Sequence, residues 1–254
     1  VTQNNGKIDP YFIATTTLGV TNNAILTGTT TMATSTSYFT TGIKLIEIGK
    51  NVQVFSSTGT TTFSTPSGVS KVSIELVGAG AGGGDCNVAG ASEGSGSGGG
   101  GGGYSRKIVD VSGTSTVQVF VGSGGTGSTA GNNNATAGRW TTFGTNGSYF
   151  YANGGAKGNA ESIVGGAGGT GSGGDFSIQG GMGSGGFAEV STALSLFGGA
   201  GNGGNSFLGY GGTGKTINAN IGQNYGGGGA GVWCTSGQSG NGGEGAQGVV
   251  IVRW

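Results

Sequence analysis

The stretch Gly209-Tyr210-Gly211-Gly212-Thr213-Gly214-Lys215-Thr216 fits the phosphate-cradling pattern GxxxxGK[ST]. Such a cradle follows a strand and opens a helix, so that backbone N–H groups and the helix N-terminus meet the phosphates. Here Ile217-Asn218-Ala219-Asn220-Ile221-Gly222 and further glycines follow, and nothing in them reads as a helix. The match is what chance supplies in a chain with 66 glycines. The absence of histidine removes a Ser-His-Asp mechanism and the commonest metal ligand. Ten carboxylates are scattered from Asp9 to Glu244 and read as solvated strand faces rather than as an acid/base pair. Cys86 and Cys234, with no histidine beside them, make a poor metal site. They either bridge two glycine-rich segments or stay reduced, because bridging depends on geometry. The expectation is a protein without catalytic residues, cofactor or metal.

Aromatic side chains are the stronger candidates. Trp140, Tyr149, Phe150, Tyr151, Phe197, Phe207, Tyr210, Tyr225 and Trp233 punctuate the glycine clusters. Some of these rings supply packing, since large aromatics dominate burial. Others, on rigid loops, suit interface anchors. The longest late insertion, 187–197, ends in Leu194-Ser195-Leu196-Phe197, and an apolar patch of that kind marks a partner if exposed. The candidate binding residues are Tyr149, Phe150, Tyr151, Leu194, Leu196, Phe197, Tyr210, Tyr225 and Trp233.

The elements that must position them are β-strands. Ten basic residues balance ten acidic ones, so no basic stripe exists to engage nucleic acid. No apolar run is long enough to span a membrane, and no charged segment followed by an apolar one opens the chain as a signal peptide does. Two prolines and no Gly-X-Y period exclude collagen. Residues 1–54 are rich in Thr, Ser and Asn and read as a β-rich stem or oligomerisation segment, short of large apolar residues and packing against copies of itself. In 55–254 the clearest strand is Lys71–Val77, with Val72, Ile74 and Leu76 on one face. Further strands are expected over 104–111 and 115–121. The run 248–254 is apolar on both faces and suits the interior of a sheet, pairing with the strand 72–77.

Glycine carries the largest backbone entropy cost on ordering, so an ordered glycine-rich region must recover it through its backbone. Polyproline II geometry turns N–H and C=O groups outward, and helices packed side by side satisfy one another. Only glycine permits that approach. The expected fold is all-β: a small β-sandwich-like sheet closed by the C-terminal strand, with packed polyglycine II helices.

Four features resemble the glycine-rich C-terminal domains of bacteriophage tail fibre and receptor-binding adhesin proteins. They are the lead-in Phe63-Ser64-Thr65-Pro66-Ser67-Gly68-Val69, the strand 71–77 running into Gly78-Ala79-Gly80, the glycines 98–103 before Tyr104-Ser105-Arg106-Lys107, and the terminal strand 248–254. The resemblance implies a sandwich of polyglycine II helices whose distal loops touch a host surface protein or glycan. It further implies a homotrimer, other fibre or virion proteins as partners, and a place on the virion tail fibre; an extracellular appendage is the alternative. On this reading the 143–151 and 187–197 insertions are exposed together at one end. The competing expectation is a purely structural fibre, appendage or capsid-decoration subunit.

Overall fold

The computed structural model describes residues 3–4, 7–8, 51–87, 94–145, 148–189 and 197–254. The chain divides into two units, Val1–Ile46 and Glu47–Trp254. In the first, Gln3–Asn4 pairs antiparallel with Lys7–Ile8. The other strands expected in the stem lie outside the described residues.

The second unit contains two five-stranded antiparallel sheets. In the first sheet the order is Phe176–Ile178, Tyr104–Asp110, Lys71–Val77, Val249–Arg253, Val52–Phe55. In the second it is Gly171–Ser172, Ser148–Ala152, Thr141–Thr145, Thr116–Val121, Gly59–Ser64. No α-helix occurs among the described residues. The period-two pattern of 71–77 has the outcome its sequence requires, with Val72, Ile74 and Leu76 buried. They meet Phe63, Val117, Val119, Phe143 and Phe150 of the second sheet in one core. The C-terminal strand sits inside the first sheet, with Val250 opposite Leu76 on one side and Phe55 on the other. That interior place explains why both of its faces are apolar. Glu75 on the outer face pairs with Arg253 of that strand.

Of the region 143–151, expected as a loop between glycine clusters, residues 143–145 and 148–151 instead belong to two paired strands of the second sheet. Phe143 stands opposite Phe150, and both rings are in the core. Likewise Lys215–Thr216 is a short strand parallel to Val232–Cys234.

Beyond the sandwich lie twelve described extended segments, here lettered in chain order: A (78–85), B (96–103), C (122–128), D (135–140), E (153–160), F (165–170), G (179–186), H (200–206), I (210–214), J (218–223), K (226–231) and L (241–248). Their hydrogen bonds repeat every three residues, the period of polyproline II. In B, Ser97 N–H donates to Asn159 of E, Gly98 to Ser184 of G and Gly99 to Gly229 of K. The cycle repeats with Gly100 to Ala156, Gly101 to Gly181 and Gly102 to Gly226, all at 2.7–3.0 Å. B also accepts from A (Gly78, Ala81, Gly84), F (Gly166, Gly169) and H (Gly201, Gly204), so six segments surround it.

A and K are enclosed in the same way. A donates to B, D and L and accepts from C, E and K. K donates to A, H, J and L and accepts from B, I and L. A, B and K are therefore mutual neighbours, and the other nine segments close a ring around them in the order E, F, G, H, I, J, L, C, D. Nine around three is the hexagonal packing of parallel rods about a triangle. Successive segments run antiparallel, which sorts their connections between two poles. The sandwich and the connections 171–178, 207–209 and 224–225 lie at the sheet pole. At the opposite loop pole lie the described residues of the other six connections: 86–87 with 94–95, 129–134, 161–164, 187–189 with 197–199, 215–217 and 232–240.

The lattice dictates which positions are glycine. In a three-residue helix, side chains leave in three directions. In B a Cβ at Gly98, Gly99 or Gly100 would stand 1.9, 2.5 or 2.0 Å from a backbone oxygen of H, A or F. Gly101, Gly102 and Gly103 meet the same three neighbours in the same order. In B all three directions meet a neighbour's backbone, and B carries six consecutive glycines; the enclosed segments A and K admit nothing larger than alanine in their interior, at Ala79, Ala81 and Ala230, each fully buried. A ring segment has one direction open to solvent, and every third residue is released. Hence Ala167-Gly168-Gly169-Thr170, Asn202-Gly203-Gly204-Asn205 and Asn241-Gly242-Gly243-Glu244, in which the non-glycine members are exposed. The ordering entropy of glycine is offset by backbone hydrogen bonds sheltered from water rather than by side-chain burial.

Candidate functional site

The loop pole is built from connections that brace one another. Cys86 and Cys234, 148 residues apart, form a disulfide with Cα atoms 6.0 Å apart, which settles the alternative the sequence left open. The bond staples the 86–95 connection to 232–240. The same two connections are laced by Ser239–Gly240 against Cys86–Asn87 and by Trp233 and Cys234 against Ser95 and Gly94. Lys215–Thr216 adds the 215–217 connection along Val232–Trp233. The carboxylate of Asp85, itself buried, accepts from Ser128 Oγ and the Gly131 N–H, each at 2.6 Å, and so anchors the 129–134 connection. Asn241 Oδ1 accepts from Ala130 N–H at 2.8 Å and Asn133 Oδ1 from Ala160 N–H at 3.1 Å. Gly186 N–H donates to Ser162 O at 2.9 Å, fixing 161–164 against segment G. Phe187–Glu189 pairs with Phe197–Gly199.

This pole presents apolar side chains to solvent. Ile163 is 81% exposed and Phe187 56%, and Val164 and Ile217 are also open. Braced connections bearing exposed apolar groups can bind a partner with little ordering cost. The sequence reading passed over Ile163, Val164 and Ile217. Their signal was slight: isolated aliphatic residues at the points where a glycine cluster breaks.

The sequence-derived candidates are scattered over three places. Trp233 lies at the loop pole, half-buried, with its indole against Gly198 and its Nε1–H buried without a hydrogen-bond partner among the described residues. Phe197 opens a strand there; Leu194 and Leu196 lie outside the described residues. Tyr210, 74% exposed, and half-buried Tyr225 lie at the sheet pole, Tyr225 against Val77, Tyr104 and Val249. Tyr149, Phe150 and Tyr151 belong to a strand of the second sheet rather than to a loop. Phe150 is corrected outright: only 3% exposed and 6.3 Å from the Phe143 ring, it is a core residue, because strand alternation turns it inward between its tyrosine neighbours. The described residues of the 143–151 insertion consequently sit at the sheet pole and those of the 187–197 insertion at the loop pole.

Near the sheet pole the Tyr104 hydroxyl is pushed up to about 12, first by burial and then by the negative charge and hydrogen bond of Glu75. Its role there is packing: its ring stacks on Phe207 with centroids 4.3 Å apart. Among the described residues no group of three or more Cys, Asp or Glu is placed to hold a metal ion.

A comparison with curated protein sequences finds no match. The glycine-rich domain family matches residues 56–254, a span that includes nearly all of the sandwich and every segment from A to L. The chain belongs to this glycine-rich domain family.

Proposed function

We propose that the chain is a tip module of a virion tail fibre and that its loop pole binds a protein or glycan on the host cell surface. The observation that carries this reading is the sorting of the polypeptide between two poles. The described residues of all six loop-pole connections gather at one end of the lattice, where the disulfide joins two of the connections and Asp85 anchors a third. Asn51 and Trp254 meet at the far end of the sandwich, where each N–H donates to the other's carbonyl.

The test is binding of fluorescently labelled protein to a panel of bacterial cells. Ile163→Asp and Phe187→Asp are expected to abolish attachment while leaving the unfolding midpoint within error of wild type. Undiminished attachment by both variants, or loss on Tyr210→Ser at the opposite pole, overturns the assignment. A purely structural subunit is the second reading. Val52, Val54 and Ile108, exposed on the first sheet, favour it, because a sheet face of this kind suits contact between copies in a homotrimer. On that reading changes at Val54 and Ile108 disrupt assembly, and the loop-pole variants are silent.

A further inference from the structure

The second sheet carries a groove on its outer face, at the seam with the lattice and away from the loop pole. Its floor is one transverse row of residues in register: Thr60 opposite Phe120, Phe120 opposite Thr142, and Thr142 opposite Tyr151. Alternation places this row outward because Val119, Phe143 and Phe150, one position away, point into the core. Segment D then delivers Arg139 and Trp140 to the edge of the row. The groove has a volume of about 580 Å³ and is completed by Gln118 and Asn153.

Three aromatic rings open onto it. Trp140 is 50% exposed and Tyr151 37%, and Trp140 lies 6.2 Å from Phe120 between centroids. The Arg139 guanidinium stands over both Phe120 and Trp140, 5.2 and 5.4 Å from their centroids. A guanidinium held over aromatic faces directs its N–H donors from its rim. Arg139 has no ion-pair partner among the described residues, and no carboxylate lines the groove.

The geometry points to a binding site for an acidic saccharide, a sugar unit bearing a carboxylate. A pyranose has an apolar C–H face and a rim of hydroxyls that both donate and accept. The groove matches the first with aromatic faces. It matches the second with the hydroxyls of Thr60 and Thr142, which also donate and accept, and with the amide of Asn153, whose Nδ2 donates to Thr170 Oγ1 at 3.0 Å and whose oxygen accepts. The carboxylate is the part that Arg139 recognises, by paired N–H donors in the geometry that guanidinium and carboxylate share. A nucleic acid needs several cations, and this groove has one. A helical or extended peptide segment needs a continuous apolar stripe or an open sheet edge, and here polar residues alternate with rings in the middle of a sheet. This site goes beyond the loop-pole reading and stands without it.

The test is titration of the intact protein with 3′-sialyllactose and a hyaluronan tetrasaccharide, against lactose and cellotetraose as neutral controls. Binding is followed by tryptophan fluorescence and by amide chemical shifts. The acidic probes are expected to bind at least tenfold more tightly than the neutral ones and to shift amides around 118–120, 139–142 and 151–153. Trp140→Ala is expected to abolish binding, and Arg139→Gln to reduce acidic-probe affinity to that of the neutral controls, with Arg139→Lys restoring part of it. The amide map on wild type decides the question even if a variant fails to fold. Acidic binding no tighter than neutral, shifts confined to the loop pole, or no binding below about 10 mM overturns the proposal. Ile163→Asp and Phe187→Asp leave saccharide binding unchanged if this site is right, whatever they do to cell attachment.

Discussion

Replacing Gly100 by alanine inserts a methyl group into the middle of the lattice. The added Cβ would lie 2.0 Å from Ala167 O and 2.5 Å from its carbonyl carbon, with Gly166 O at 2.9 Å. Ordinary C···O contacts begin at about 3.3 Å, so segments B and F must part by about 1.3 Å. Two hydrogen bonds join them, Gly166 N–H to Gly98 O at 2.8 Å and Gly169 N–H to Gly101 O at 2.9 Å. Stretched to about 4.1 Å, neither is a bond. Each buried donor left without a partner costs about 1–3 kcal/mol. Alanine returns about 0.4–1 kcal/mol by restricting the unfolded chain. The net loss is about 3 kcal/mol, or about 10 °C in Tm for a domain of this size. Gly113→Ala is the matched control. Nothing lies within 4 Å of a Cβ there, and only its φ of +73° resists substitution, at a cost of about 1 kcal/mol. Guanidinium unfolding of both variants, compared at equal m-value, measures the difference. Equal midpoints would refute the argument that steric exclusion in the lattice, rather than backbone freedom, requires glycine in segment B.

The disulfide closes a loop of 148 residues, and the chain-entropy relation gives its removal a cost of about 5 kcal/mol. The double variant Cys86→Ser/Cys234→Ser should show this in its unfolding midpoint; a change below about 1 kcal/mol would mean that the strand pairings at the loop pole suffice alone. Phe143→Ala, which empties a fully buried site between the sheets, is expected to lose about 3–5 kcal/mol, and an undiminished midpoint would contradict the face-to-face packing. The Tyr104 phenol should ionise near 12 rather than at its ordinary 10.0 when absorbance is followed against pH. Since its neutral form is the one the folded state favours, stability is retained below pH 10 and falls as pH rises from there toward 12.

The strands of the sandwich were legible because burial on one face imposes a local period on the sequence. Val72, Ile74 and Leu76 alternate, and the terminal strand is apolar on both faces because it lies between two others. The lattice was legible as a material but not as an arrangement. Glycine at 98–103 announces a segment with no free direction, and X-Gly-Gly triplets such as Asn202-Gly203-Gly204 mark segments with one. Which segments touch is written nowhere locally: backbone hydrogen bonds between glycines are chemically identical, so no side chain labels the partner. The candidate sites divide on the same line. The sequence marked aromatic residues as the carriers of contact, yet strand alternation put Phe150 in the core and left Tyr151 outside. The sequence by itself determined that glycine must pack against glycine and that apolar strands must close over a core. The tertiary structure alone decided that Cys86 meets Cys234, that A, B and K lie inside the ring, and that six connections share one pole. Those outcomes depend on the order in which identical backbones are laid side by side, and that order is a property of the whole chain.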